Sequence, residues 1–215
     1  MADLPVVLCY GDSNTHGADP ATGGRLGFGV RWPGVLASLL DGEARVIEEG
    51  LNGRTTVRDD PYVPGRNGLA YLGPCLASHA PVDVVVIMLG TNDLKATFAL
   101  PATEIAAGAA ALADAALRSM SGPAGGSPRV LLVAPPALGP ASEPMEVSGF
   151  AGAGERNAEL PRLYRAVARR AGAAFLDASA IVSADPADGV HLSPASHRVL
   201  AHAVADAIRP LLGGA

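Results

Sequence analysis

Three runs of aliphatic residues constrain this chain most: Val6 to Cys9, Val82 to Leu89 (interrupted only by Asp83) and Val130 to Ala134. None alternates apolar with polar, so none reads as a strand with one wet face. Continuous Val/Ile/Leu runs of this length suit strands covered on both sides. Val46-Ile47 and Ala173 to Leu176 add two shorter candidates.

Helical patterns lie between the runs. Val35, Leu36, Leu39 and Leu40 form one stripe, and Leu160, Leu163, Tyr164 and Val167 form another at i, i+3, i+4, i+7. An Ala-rich stretch from Pro101 to Met120 reads as a long helix with a thin apolar stripe. A last helix opens with Ser193 as N-cap and Pro194 at its first position, then carries Leu200, Val204, Ile208 and Leu211 inward. Five such strand–helix units imply a parallel sheet with helices on both faces. No repeat or linker interrupts the pattern, so residues 1–215 read as one α/β domain. Only Pro135 to Gly154 resists assignment. A structureless stretch that long is usually functional or an interaction element, and Met145 and Phe150 are its apolar candidates for contact.

Composition narrows the class. With 49% hydrophobic and 17% charged residues the chain is no disordered segment. A net charge of -5 and no basic run beyond Arg169-Arg170 argue against a nucleic-acid partner. The longest unbroken apolar run, Val84 to Leu89, is far short of a membrane span. Cys9 and Cys75 make neither a disulfide framework nor a zinc site. The start, Met1 to Cys9, has no basic region followed by a long apolar one. The expectation is a reduced, soluble, cytoplasmic protein.

Ligands of open parallel sheets bind outside the carboxyl ends of the strands. Gly11-Asp12-Ser13-Asn14-Thr15-His16-Gly17 follows the first strand, and Glu49-Gly50-Leu51-Asn52-Gly53-Arg54-Thr55-Thr56 the second. Gly90-Thr91-Asn92-Asp93 follows the third, and Asp188-Gly189-Val190-His191-Leu192 precedes the last helix. Taken alone, Ser13 is an N-cap serine, Asn92 a turn asparagine and His191 a structural histidine. Together they offer a nucleophile, an amide donor and an imidazole. Asp188 lies three residues before His191, so its carboxylate can reach Nδ1 on one turn while Nε2 faces outward. A serine needs such a base, and the base needs such an orienting group.

His16, three residues from Ser13, competes as the base but has no comparably spaced carboxylate, and is expected instead to line the pocket. A metal centre built from Asp188, His191, His197 and His202 is disfavoured, because residues five apart on a helix do not share a face. Neither the Gly-x-Ser-x-Gly elbow nor a phosphate-binding Gly-x4-Gly-Lys-Ser/Thr loop occurs.

The ordered blocks Gly-Asp-Ser13, Gly53, Gly-Thr-Asn92-Asp and Asp188-x-x-His191 resemble those of the SGNH (GDSL-type) hydrolases. Asn14 stands where the usual block has leucine. Val30 to Leu36, Glu48 to Thr56, Tyr71 to Ala77 and Ile87 to Lys95 are similar to the arylesterase/acyltransferase branch. The resemblance implies a three-layer, flavodoxin-like α/β/α fold with a five-stranded parallel sheet. It implies a catalytic set of Ser13, His191 and Asp188, and an oxyanion hole from the amides of Ser13 and Gly53 and the side chain of Asn92. Asp12, Asn14, His16 and Asn52 are expected around the substrate. Asp12 and Asp93 are read chiefly as organisers of their loops, and Arg54 and Lys95 as shaping the rim or an interface.

The activity implied is hydrolysis of short aryl or carbohydrate acetyl esters through an acyl-enzyme, with acyl transfer to alcohols alongside it. No cofactor is needed, and the branch implies a homo-oligomer, in some members an octamer, with Pro135 to Gly154 walling the acyl pocket and touching a neighbouring subunit. A lysophospholipase or thioesterase of the same family would need a long apolar groove. A flavodoxin-like binding module would need no Ser–His–Asp set at all.

Overall fold

The computed structural model describes residues 4–213. Five parallel strands form one sheet in the order β2-β1-β3-β4-β5: β1 Val6–Gly11, β2 Arg45–Gly50, β3 Val84–Met88, β4 Arg129–Ala134 and β5 Ala174–Asp177. This is the flavodoxin-like order, with its switch point between β1 and β3. Every side chain of β3 is at most 2% exposed, as its uninterrupted apolar sequence requires.

Alternation along β1 sorts the core into two halves. Val6, Leu8 and Tyr10 face a cluster closed by α3 (Gly68–His79), α4 (Ala102–Leu117) and α6 (Ala153–Ala171). Val7 and Cys9 face a cluster closed by α2 (Trp32–Leu39) and α7 (Pro194–Leu212). The alanines of α4 let it pack closely: a Cβ on Gly108 would lie 2.2 Å from the Thr56 hydroxyl oxygen. Ser193 caps α7 by accepting the Ser196 amide at 3.1 Å, with Pro194 in the first turn. Among the described residues no helix is long and apolar enough to cross a membrane.

Two parts of the fold differ from the sequence reading. Helix α3 carries Pro74 inside it and a weak apolar stripe, so its sequence does not advertise a helix. The stretch 135–154 is not structureless: it contains a short helix, α5 (Glu143–Val147), and the first residues of α6. Met145 and Phe150 are buried in the chain's own core, at 3% and 4% exposure, and so are not left over for a neighbouring subunit.

Candidate active site

Strand β1 ends in Gly11, where a Cβ would lie 2.0 Å from the Thr15 hydroxyl oxygen, so only glycine permits the sharp turn that follows. One helical turn, α1 (Ser13–His16), begins at once, capped by the Asp12 carboxylate, which accepts the Asn14 amide at 2.9 Å. Ser13 therefore stands at the first position of a helix at the carboxyl edge of the sheet.

Its hydroxyl meets His191. Ser13 Oγ lies 2.9 Å from His191 Nε2, and His191 Nδ1 lies 2.6 Å from Asp188 Oδ2. The other Asp188 oxygen accepts the amides of Val190 and His191, both at 2.8 Å. Partial burial pushes the Asp188 carboxyl up. Those two amides, with the imidazole, outweigh that and hold it below the usual carboxylate range. Asp188 is thus an anion locked by its own turn against one ring nitrogen, which leaves the other to the serine.

Three donors belong to residues that border the same cavity as the hydroxyl. Among the described residues the backbone amides of Ser13 and Gly53 have no internal acceptor. Gly53 holds φ at 76°, a conformation that favours glycine. Asn92 gives one amide hydrogen to the Arg54 carbonyl at 3.1 Å, which fixes the side chain and leaves its second hydrogen free. Ser13, Gly53, Asn92 and His191 all border one cavity of about 430 Å³. Preorganised donors around a nucleophile, base and orienting carboxylate are the equipment of acyl transfer.

The model of the GDSL-like lipase/acylhydrolase family matches residues 9–199. The chain belongs to that family. A solved aryl esterase of M. smegmatis is similar to this GDSL-family chain at 43% identity, with a TM-score of 0.91 over 96% of this chain and 99% of the other. A carbohydrate acetylesterase from Sinorhizobium meliloti is 41% identical, with a TM-score of 0.91 over 96% and 99%. A lipolytic G-D-S-L protein from Veillonella parvula, 17% identical, shares the fold at a TM-score of 0.66 over 94% of this chain and 96% of its own. No curated protein sequence matches the chain.

Of the residues expected around the substrate, Asn52 borders the cavity and three do not. Asp12 and Asn14 are each 1% exposed, because the helical turn that presents Ser13 directs its neighbours inward. Burial raises the Asp12 carboxyl to about 6, against the lowering effect of the Asn14 amide, and among the described residues its Oδ2 has no hydrogen-bond partner. Asn14 donates to the Val190 carbonyl at 3.2 Å and accepts the Leu192 amide at 3.0 Å, so it staples the histidine loop to the serine turn. His16 ends α1 beside β2: a Cβ on Gly50 would fall 2.1 Å from the His16 amide nitrogen. Its ring makes no hydrogen bond to Ser13, and burial and Arg25 depress its pKa.

Asp93 is fully buried and accepts both the amide and the hydroxyl of Thr56, tying the loop after β3 to the loop after β2. Burial raises its carboxyl to about 6, although Thr56 opposes this. His197 is also buried and accepts the Trp32 amide at Nδ1, while His202 lies exposed on α7; neither joins His191. Among the described residues the metal-competent group is Glu49, Cys75 and His79, where β2 meets α3, and none of these borders the serine cavity.

The sequence reading passed over one wall. Ala18, Asp19, Pro20 and Gly23 line the cavity, as do Lys95, Ser148 and Phe150. The Asp19-Pro20 and Gly23-Gly24 turn signals directly after the serine helix mark it. Asp19 organises that turn, accepting the Ala21 amide at 3.0 Å and the Thr22 hydroxyl at 2.7 Å. Met145 stays outside the cavity. It packs on the His191 turn instead, where a Cβ on Gly189 would lie 2.5 Å from its sulfur.

Proposed function

We propose that the protein is a serine esterase acting on short acyl esters, with Ser13 as nucleophile, His191 as base and Asp188 as the group that orients it. The observation that carries this reading is the unbroken hydrogen-bonded chain Asp188–His191–Ser13 opening on one cavity. Ser13 Oγ attacks the ester carbonyl as His191 Nε2 takes its proton. The carbonyl oxygen, now charged, receives hydrogen bonds from the Ser13 and Gly53 amides and the Asn92 side chain. His191 then protonates the departing alcohol. Water, deprotonated by the same nitrogen, releases the acid from the acyl-enzyme. An alcohol that reaches the acyl-enzyme before water takes the acyl group instead, so transfer and hydrolysis share this step.

A cavity of about 430 Å³ lies at the small end of ligand pockets and suits an acetyl to butyryl ester better than a long chain. The aryl esterase and carbohydrate acetylesterase relatives, each over 40% identical, support the same class of small ester. A homo-oligomer forms part of this reading, now on different residues: Phe28, Tyr62 and Val63 are exposed, Tyr62 at 80%. Ser13→Ala tests the chemistry. It should abolish both nitrophenyl acetate hydrolysis and labelling by a serine-directed phosphonate, with the fold intact by circular dichroism. Turnover near the wild-type rate would remove the assignment. Light scattering tests the assembly, and a monomer at micromolar concentration would remove that part.

A further inference from the structure

We propose that Arg54 is a positioning residue for the oxyanion pocket, a buried cation that fixes all three donors from behind. The proposal deepens the esterase reading and rests on it. Arg54 is only 2% exposed, not a rim or interface residue as its place in the sequence implied. Its guanidinium lies over the Tyr10 ring at 4.2 Å and the Tyr71 ring at 5.4 Å. Nη1 donates to the Gly11 carbonyl at 2.9 Å and also to the Glu49 carbonyl. Arg54 forms no ion pair among the described residues.

One side-chain contact and the residue's own backbone bear on the three donors. The Gly11 carbonyl accepts the Leu51 amide at 3.1 Å as well as Arg54, so both its lone pairs are held, two residues before the Ser13 amide. The peptide of Arg54 adjoins Gly53. The Arg54 carbonyl holds the Asn92 amide at 3.1 Å. Lateral pairing of β1 with β2 ends at Gly11 and Gly50, and Arg54 bridges the two strand ends there through the Gly11 and Glu49 carbonyls.

Stability alone does not call for this residue. An apolar side chain of similar volume would fill the space without desolvating a charge. What it could not do is donate to two carbonyls while holding a cation against the Tyr10 and Tyr71 rings. Lysine, a point donor on a flexible stem, cannot either.

The test is steady-state hydrolysis of nitrophenyl acetate by Arg54→Lys, Arg54→Met and Asn92→Ala, and by the Arg54→Lys/Asn92→Ala pair. Rates are taken per site titrated with a phosphonate, so unfolded protein does not count. We expect kcat of Arg54→Lys to fall about 100-fold with KM changed less than about threefold, since small misplacements cost on that order. We also expect Asn92→Ala, damaging in the wild type, to cost less than about tenfold once Arg54 is lysine, because the two act as a unit.

Should Arg54→Met fail to fold, Tyr71→Leu carries the same question from a half-exposed side chain. It should lower kcat by about threefold or more through the lost ring. A variant that loses melting temperature but keeps kcat per titrated site, with the Asn92 cost undiminished, overturns the proposal. Ser13→Ala run in parallel separates the two readings. If it is inactive while Arg54→Lys is unimpaired, only the role of Arg54 falls. If it is active, the esterase reading falls first and takes this one with it.

Discussion

The side-chain amide of Asn14 reaches across 176 residues of chain to the carbonyl of Val190, 3.2 Å away. The same side chain accepts the amide of Leu192 at 3.0 Å. Val190 and Leu192 flank His191, and Asn14 follows Ser13. The distance between the Ser13 hydroxyl and the His191 ring is therefore set by a buried neighbour of Ser13 as well as by the 2.9 Å hydrogen bond between them.

Asn14→Ala leaves the Val190 carbonyl and the Leu192 amide buried without partners. Each such loss costs about 1–3 kcal/mol. Urea unfolding should show a fall of that order or more. Turnover should drop as well, because the loop that bears His191 loses its tie to the serine turn. Unchanged stability would contradict the staple.

His191→Ala should cost nearly as much activity as Ser13→Ala, and the pair little more than either alone, since members of such a set act together. Asp188→Asn should lower kcat by about 10⁴, because the ring loses its fixed tautomer and orientation. A chelator should leave the rate unchanged, as every step uses a group of the chain. Kinetics of the three variants, with a pH–rate profile, would expose a different base.

His16→Ala should leave kcat within about threefold of wild type, because the ring neither lines the cavity nor bonds to Ser13. A loss comparable to that of His191→Ala would mean the wrong histidine has been placed at the serine.

Asp12 makes stability depend on pH in an unusual direction. Its carboxyl titrates at about 6 in the fold, against a reference value of 3.8. Below both values it is protonated folded or unfolded, and contributes nothing. Between them the unfolded chain releases its proton first, so stability falls as pH rises. Above about 6 the whole penalty, of order 3 kcal/mol, is present. Asp93 acts in the same sense, while burial of His197, depressed to about 4, acts oppositely as pH falls. Asp12→Asn keeps an acceptor for the Asn14 amide and removes the charge. It should be more stable than wild type at pH 8 by roughly 3 kcal/mol and equal to it near pH 3. Chemical denaturation at the two pH values checks both halves.

How far sequence reasoning reached follows from what is local. Asp188 and His191 sit on one turn, so three residues of spacing were enough to pair them. The central strands β1, β3 and β4 were legible because burial on both faces keeps their interiors apolar, whereas β2, which carries Glu48 and Glu49 and is only partly buried, showed no more than Val46-Ile47. What Asn14 and Arg54 do depends on partners distant in sequence, which no spacing reveals; both read instead as residues of the cavity or its rim. His16 was misread because closeness to Ser13 in sequence does not fix where a ring goes: it ends the four-residue helix beside β2 and does not border the cavity. The short helix of Glu143–Val147 stayed hidden among prolines and glycines, its fold set by Met145 docking into the core.

That docking ties a peripheral element to the chemistry. Met145 leans on Gly189, and the Gly139 amide donates to the Gly189 carbonyl at 2.8 Å, one residue from the carboxylate that orients the base. For anyone seeking to retune this enzyme, 143–149 is a remote dial. A mutational library confined to it would vary the aim of His191, and hence turnover, while altering few of the surfaces an ester touches.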